Sequence, residues 1–68
     1  MNWTTSELTM VLTDKISGRW AILKKYPEGF ALRGGTGVQT VFVMEADYTL
    51  GRASKVGRLW VEEGITPL

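Results

Sequence analysis

The chain has 68 residues, a formal net charge of +1, and neither cysteine nor histidine. Missing cysteine excludes disulfides and thiolate metal sites, and missing histidine removes the commonest general base and transition-metal ligand. With 44% hydrophobic and 22% charged residues, this composition predicts one small globular domain over residues 1–68 that is not an enzyme and holds no metal or cofactor. No apolar run approaches the ~18 residues of a membrane span, so we expect a soluble, cytoplasmic protein.

The N-terminal segment fits two kinds of secondary structure. Residues 1–6 are mostly polar, and we expect them to be loose, with Trp3 exposed as a minor contact residue. Residues 8–13 alternate apolar and β-branched side chains, which indicates a strand, although Thr4-x-x-Glu7 also has the form of a helix capping box. We favour the strand, and a hairpin connection at residues 14–18 then leads into the next one.

The middle of the chain has the pattern of an antiparallel meander. Residues 19–24 and 30–33 are predicted strands, joined by the turn Tyr26-Pro27-Glu28-Gly29, in which proline presets φ and glycine suits the fourth position. We expect Gly34-Gly35-Thr36-Gly37 to be a flexible link. Residues 38–44 are the longest and most β-branched predicted strand.

A helix is predicted over residues 47–64, because its apolar and charged residues separate into two faces at 100° per residue. The apolar face holds Leu50, Ala53, Gly57, Trp60 and Val61. The outer face holds Arg52, Lys55, Arg58, Glu62 and Glu63, and Leu59 alone breaks the pattern. Asp47 or Thr49 is the expected N-cap, and Gly64 suits the left-handed position past the helix end.

The predicted fold class is α+β: a small antiparallel sheet of three or four strands, a meander, with one C-terminal amphipathic helix packed on one face. Trp20 and Trp60 are expected to face each other between sheet and helix. On the strand over residues 38–44, Val41 and Val43 point one way while Phe42 and Met44 point the other. Both sheet faces are therefore apolar. The second face needs a cover, either the N-terminal segment, a second copy in a homodimer, or a partner.

The sharpest candidate site is the row Arg52, Lys55 and Arg58 on the outer helix face, with Leu59 as an apolar anchor. A solvated helix face is the ordinary explanation of such a row. However, basic residues in the first half and Glu62 and Glu63 in the last turn oppose the helix dipole at both ends, a layout that stability alone does not favour. We expect this row to bind a partner, so that reversing its three charges abolishes binding.

A second candidate site interleaves basic and aromatic residues around the hairpin turn. Its members are Lys24, Lys25, Tyr26 and Arg33. Proteins that bind single-stranded nucleic acid use this mixture, because bases stack on aromatic rings while cations follow the phosphates. The alternative is that the lysines keep an exposed strand end soluble.

The run Ala46-x-x-Thr49-Leu50-x-x-Ala53 followed by Trp60 resembles the strand-then-helix element of several small phage-encoded α+β proteins. Some of those proteins inhibit host enzymes by binding them. The resemblance covers the C-terminal third of the chain. It implies a small accessory protein that acts by binding, and it carries over no functional residue.

Together these features predict a small, non-enzymatic protein-interaction module that regulates or inhibits a larger protein by binding it, as an accessory protein of the phage or mobile-element type does. The alternative is a nucleic-acid-binding protein that uses the basic helix face. Salt separates the two hypotheses, because binding to nucleic acid weakens steeply as salt rises.

Overall fold

The computed structural model describes residues 3–6 and 9–67. They form one antiparallel sheet in which each strand pairs with the next one along the chain, followed by a C-terminal helix. The strands are β1 (Thr4–Ser6), β2 (Thr9–Thr13), β3 (Arg19–Tyr26), β4 (Gly29–Thr36) and β5 (Gln39–Tyr48). The helix is α1 (Leu50–Arg58), continued by a π-helical turn, Leu59–Glu63. The predicted α+β meander with one helix on one face is confirmed.

The N-terminal strand prediction is confirmed over Thr9–Thr13, while Glu7 and Leu8 lie outside the described residues. The prediction that residues 1–6 are loose is wrong over Thr4–Ser6, because β1 pairs with β2 and adds an edge strand, while residues 1 and 2 lie outside the described residues. The sheet therefore has five strands rather than three or four. Trp3 is not exposed either, because it packs against the core. Its ring lies beside Gly57, so that a Cβ added to Gly57 would be 2.8 Å from Cη2 of Trp3.

The connection between β2 and β3 is the hairpin turn that was expected at residues 14–18. The Asp14 carboxylate accepts hydrogen bonds from the Ser17 hydroxyl (2.8 Å) and from the Ile16 N–H (3.2 Å). These bonds, the one from Ser17 first, hold the pKa of Asp14 below its ordinary value. Gly18 closes the turn at φ 78°, a left-handed conformation that favours glycine.

The expected flexible link at Gly34 and Gly35 is wrong, because both residues are buried inside β4. Aromatic rings crowd them from opposite sides. A Cβ on Gly34 would lie 2.2 Å from Cε1 of Phe42, and one on Gly35 would lie 2.3 Å from Cζ2 of Trp20. Glycine is needed here for close packing rather than for flexibility. The turn follows at residues 37–38, so Val38 lies in the turn and not in a strand.

The core lies between α1 and one face of the sheet. Its buried residues are Leu12, Ala21, Leu23, Leu32, Phe42, Ala53, Trp60 and Val61. Trp60 lies at its centre, edge-on to Phe42 with 5.7 Å between the ring centroids. The Trp60 Nε1–H donates to the backbone oxygens of Trp20 (3.1 Å) and Gly35 (3.2 Å), which satisfies the polar atom of a buried ring.

Trp20 does not face Trp60, contrary to the prediction. Ala21 and Leu23 of β3 are buried on the helix side. Side chains alternate along a strand, so Trp20 points to the opposite face. There its ring lies against Gly35, and its Nε1–H donates to the Gly37 carbonyl at 2.7 Å.

The helix begins later than predicted, because β5 continues to Tyr48 and includes Asp47. Thr49, the second of the two expected caps, is the N-cap: its side chain accepts a hydrogen bond from the Arg52 N–H at 3.2 Å. Gly64 ends the helical segment in the left-handed conformation, φ 73°, as predicted. The apolar stripe is buried except at Leu50, which is 44% exposed in the first turn.

Replacing Thr49 with alanine is expected to lower the free energy of unfolding by about 1 kcal/mol, because the Arg52 N–H then loses its acceptor. Urea denaturation followed by circular dichroism measures this change. Thr49→Ser keeps the hydroxyl and is expected to stay near wild type. Equal losses in the two variants would mean that the cap bond does not stabilise the helix.

Candidate functional site

The sheet face turned away from α1 is called here the open face. Its residues follow from alternation against the buried helix side and from the strand register. They include Val11, Trp20, Ile22, Lys24, Tyr26, Ala31, Arg33, Val43 and Glu45. Among the described residues no helix or strand covers this face, since β1 extends the sheet sideways rather than packing across it.

A row of residues crosses the middle of the open face from β2 to β5. Val11 pairs with Ile22, Ile22 with Arg33, and Arg33 with Val43. Directly opposite side chains in neighbouring strands contact each other, so the three aliphatic residues and the Arg33 stem form one surface. Val43 is 60% exposed whereas Phe42, next to it but on the helix side, is 6% exposed. The sequence-based expectation of an uncovered apolar face holds at these positions.

The structure brings together three of the four residues predicted around the hairpin turn. Lys24, Tyr26 and Arg33 line a shallow depression of about 380 Å³ on the open face, together with Glu45. Ile22, Ala31 and Val43 contribute apolar walls. Lys25 does not belong to this group, because alternation places it on the helix side, opposite Phe30.

Trp20 and Val11 belong to the open face, although the sequence reasoning did not name them as site residues. The signal was present in the alternation along the strands. Once Ala21 and Leu23 are assigned to the core, Trp20 and Ile22 must face away from it. What was missing was the knowledge of which face the helix covers.

The outer row of the helix lies at the surface, and two of its members have partners within the chain. The Arg52 guanidinium lies 5.7 Å from the centroid of the Tyr48 ring, and Arg58 forms an ion pair with Glu62 at 3.3 Å. Lys55 is exposed, and Leu59 is 38% exposed. That this row binds a partner remains a prediction.

Arg19 is a structural residue that the sequence reasoning missed. Its guanidinium donates to the carbonyls of Val61 (Nε, 3.1 Å) and Glu62 (Nη2, 3.3 Å) and lies 5.9 Å from the centroid of the Trp60 ring. Arg19 thus places a positive charge at the helix C-terminus, where the dipole favours one. The unfavourable charge of Glu62 and Glu63 at the helix C-terminus, which was one reason to expect a partner at the helix row, is therefore compensated by Arg19 within the chain. The open face becomes the stronger candidate surface.

Neither a membrane-spanning helix, nor a metal-ligand cluster in the described residues, nor a match to a known protein points to a function. Across residues 3–6 and 9–67, no helix has the length and apolar character needed to cross a membrane, and no three acidic side chains cluster as metal ligands do. The chain matches no protein-family model, no curated protein and no solved structure. The surface chemistry of the fold is therefore the basis for a functional assignment.

Proposed function

We propose that this protein is a non-enzymatic interaction module that acts in the cytoplasm and regulates or inhibits a larger protein by binding it through the open face. The observation that carries this proposal is the row Val11, Ile22, Arg33 and Val43, in which the Arg33 stem lies between aliphatic side chains, with Lys24 beside it. An apolar surface rimmed by polar groups is typical of an interaction site. The phage-protein resemblance of the C-terminal third supports the same role.

The residue types of the open face define the chemistry of its partner. Trp20, Tyr26 and Arg33 belong to the residue types that are enriched at protein interfaces and at their energetic centres. The depression between Lys24 and Arg33 accommodates an apolar side chain, and these two cations outnumber the carboxylate of Glu45, which favours carboxylates on the partner. The expected partner surface is an apolar patch with acidic residues at its rim. Arg52, Lys55, Arg58 and Leu59 are the second candidate contact for the same function.

Nucleic-acid binding is the second candidate function, because Lys24, Tyr26 and Arg33 share one face with Trp20. The spacing of the rings counts against it. Trp20 and Tyr26 lie six residues apart on β3, about 20 Å along a strand, so neighbouring bases cannot stack on both. The surface between them is aliphatic rather than aromatic, and stacking on single strands uses aromatic rings.

Two charge-reversal variants test which surface binds the partner. Lys24→Glu with Arg33→Glu alters the open face, and Arg52→Glu with Lys55→Glu alters the helix row. Both pairs replace two exposed cations by two carboxylates, so they change the net charge equally. Immobilised wild type and variants are exposed to a lysate of the source organism, and the retained proteins are quantified. A partner held by the open face is expected to be depleted at least tenfold by the first variant and retained by the second.

The opposite pattern would move the contact to the helix row, and a partner list that neither variant changes would contradict both surfaces. Nucleic acid is tested separately by fluorescence polarisation with a labelled single-stranded oligonucleotide at low and physiological salt. Binding that weakens with a slope of about −0.7 per phosphate contacted would replace the protein-binding proposal by the nucleic-acid one. Matching circular dichroism spectra of all variants confirm that the fold is retained.

A further inference from the structure

β5 is an edge strand whose outer side is not paired with any described residue. Irregularities in the β4–β5 register, between Phe30 and Leu32 and between Gly34 and Gly35, leave a regular stretch of β5 over Phe42–Met44. Natural edge strands are protected by lysine, proline, inward charges or bulges, and the irregularities of this edge lie on either side of Phe42–Met44 rather than within it. This stretch contains only apolar residues. It is therefore an open site for another strand, and the irregularities on both sides place the centre of that site at Val43.

The direction of the Val43 backbone groups follows from the hairpin register. A two-residue turn joins Tyr26 and Gly29, which makes their pairing hydrogen-bonded. Hydrogen-bonded and non-hydrogen-bonded pairs alternate, so Ile22 and Arg33 are also hydrogen-bonded, and the N–H and C=O of Arg33 point toward β3. Because the N–H and C=O of Arg33 point toward β3, the pairing of Arg33 with Val43 is non-hydrogen-bonded. The N–H and C=O of Val43 consequently point outward, away from β4.

We propose that a second copy of this chain binds at this edge, with its own β5 antiparallel to the first about a two-fold axis at Val43. Each Val43 donates its outward N–H to the carbonyl of the other, which is the self-complementary arrangement that a symmetric dimer requires. The axis stands perpendicular to the sheet, so both helices lie on one side and both open faces join on the other. The dimer has one continuous ten-stranded sheet.

The side chains along β5 suit this pairing better than pairing with an unrelated strand. About an axis at Val43, Phe42 faces Met44 of the second copy, and sulfur–aromatic contacts of this kind are favourable. Both residues line a groove of about 280 Å³ on the helix side of the edge, together with Tyr48, Val56 and Pro67. Glu45, the nearest charged residue of the strand, lies toward Val41 of the second copy rather than against its own counterpart. Along β5 itself, this register places no like charges opposite each other, and Arg52 of α1 is the charged residue that lines the groove.

The first test compares two valine-to-lysine variants by sedimentation equilibrium over about 1 to 200 µM protein. Val43→Lys brings two positive charges together at the axis and is expected to weaken self-association at least tenfold. Val38→Lys makes the same change at a fully exposed turn residue and is expected to leave self-association unchanged. A monomeric wild type throughout this range, or equal effects of the two variants, would overturn the proposal.

The second test does not depend on a destabilising change. Because the chain has no cysteine, a single Val43→Cys variant provides one thiol per copy. Hydrogen-bonded antiparallel pairs have Cα atoms about 5.5 Å apart, within the range that a disulfide spans. Mild oxidation is expected to cross-link Val43→Cys into dimers at low micromolar concentration and to leave Val38→Cys mostly monomeric. Equal cross-linking of both would show random collision and contradict pairing at β5.

Val43 belongs to both the dimer edge and the open face, so partner binding is tested with substitutions at other residues. The charge-reversal variants at Lys24 and Arg33 lie on β3 and β4 and leave the outer edge of β5 unchanged. Loss of partner binding in those variants, with self-association intact, would support both proposals. Loss of both partner binding and self-association in the Lys24 and Arg33 variants would contradict the placement of the dimer contact at the outer edge of β5.

Discussion

Replacing Gly34 with alanine is expected to lower the free energy of unfolding by about 3 kcal/mol. The added Cβ would lie 2.2 and 2.4 Å from Cε1 and Cζ of Phe42 and 2.9 Å from Cδ1 of Trp60. These distances are far shorter than van der Waals contact. Both rings are buried between sheet and helix, where close packing leaves them little room to move. Urea denaturation followed by circular dichroism measures the loss.

Gly51→Ala is the matched control for this substitution. Gly51 is exposed in α1, and an added Cβ would meet no atom within 4 Å. Alanine is expected to stabilise the protein there by about 0.5 to 1 kcal/mol, because glycine costs more conformational entropy in a helix. If Gly34→Ala proved as stable as wild type, the rings of Phe42 and Trp60 could not lie where the structure places them.

Replacing Trp60 with alanine is expected to lower the free energy of unfolding by about 3 to 5 kcal/mol. This loss is a large part of the total stability of a domain of this size, so a fraction of the molecules unfolds. The substitution removes the edge-on contact with Phe42 and the ring beside Arg19. It also leaves the carbonyl oxygens of Trp20 and Gly35 without the indole donor. Circular dichroism and gel filtration of the variant measure the fraction that remains folded.

Trp20→Ala removes the same type of side chain from the other face of the sheet. Trp20 is only half-buried, and its ring contacts Gly35 and donates one hydrogen bond to the Gly37 carbonyl. We expect a smaller loss, about 1 to 2 kcal/mol, because less apolar area returns to water. A larger loss for Trp20→Ala than for Trp60→Ala would mean that the two tryptophans have been assigned to the wrong faces.

Local patterns predicted much of this fold. The helix stripe Ala53, Gly57, Trp60 and Val61 is buried, and Gly64 ends the helical segment. The turn between Tyr26 and Gly29 also forms as expected. Helical periodicity, caps and tight turns depend on residues within a few positions of one another, so a single sequence contains the necessary information.

The candidate site was predictable only in part. Basic and aromatic residues around the hairpin turn pointed to Lys24, Tyr26 and Arg33, and these residues do line one depression. Alternation excludes Lys25 from it, and the same rule adds Trp20 and Ile22 to the open face. Applying that rule requires knowing which sheet face the helix covers, and this depends on packing between elements far apart in the chain.

The sequence by itself determined the class of β2 to β5 and of α1, because hydrophobic periodicity and turn chemistry are local properties, whereas it did not predict the strand β1. Only the tertiary structure decided the roles of Gly34, Gly35 and Arg19. The two glycines look like a flexible link until rings from β3, β5 and the helical segment are packed against them. Arg19 stabilises a helix end 42 residues away, and no local pattern connects the two. Contacts between distant residues arise when the sheet and helix bury a common core, and they decide which side chains remain at the surface.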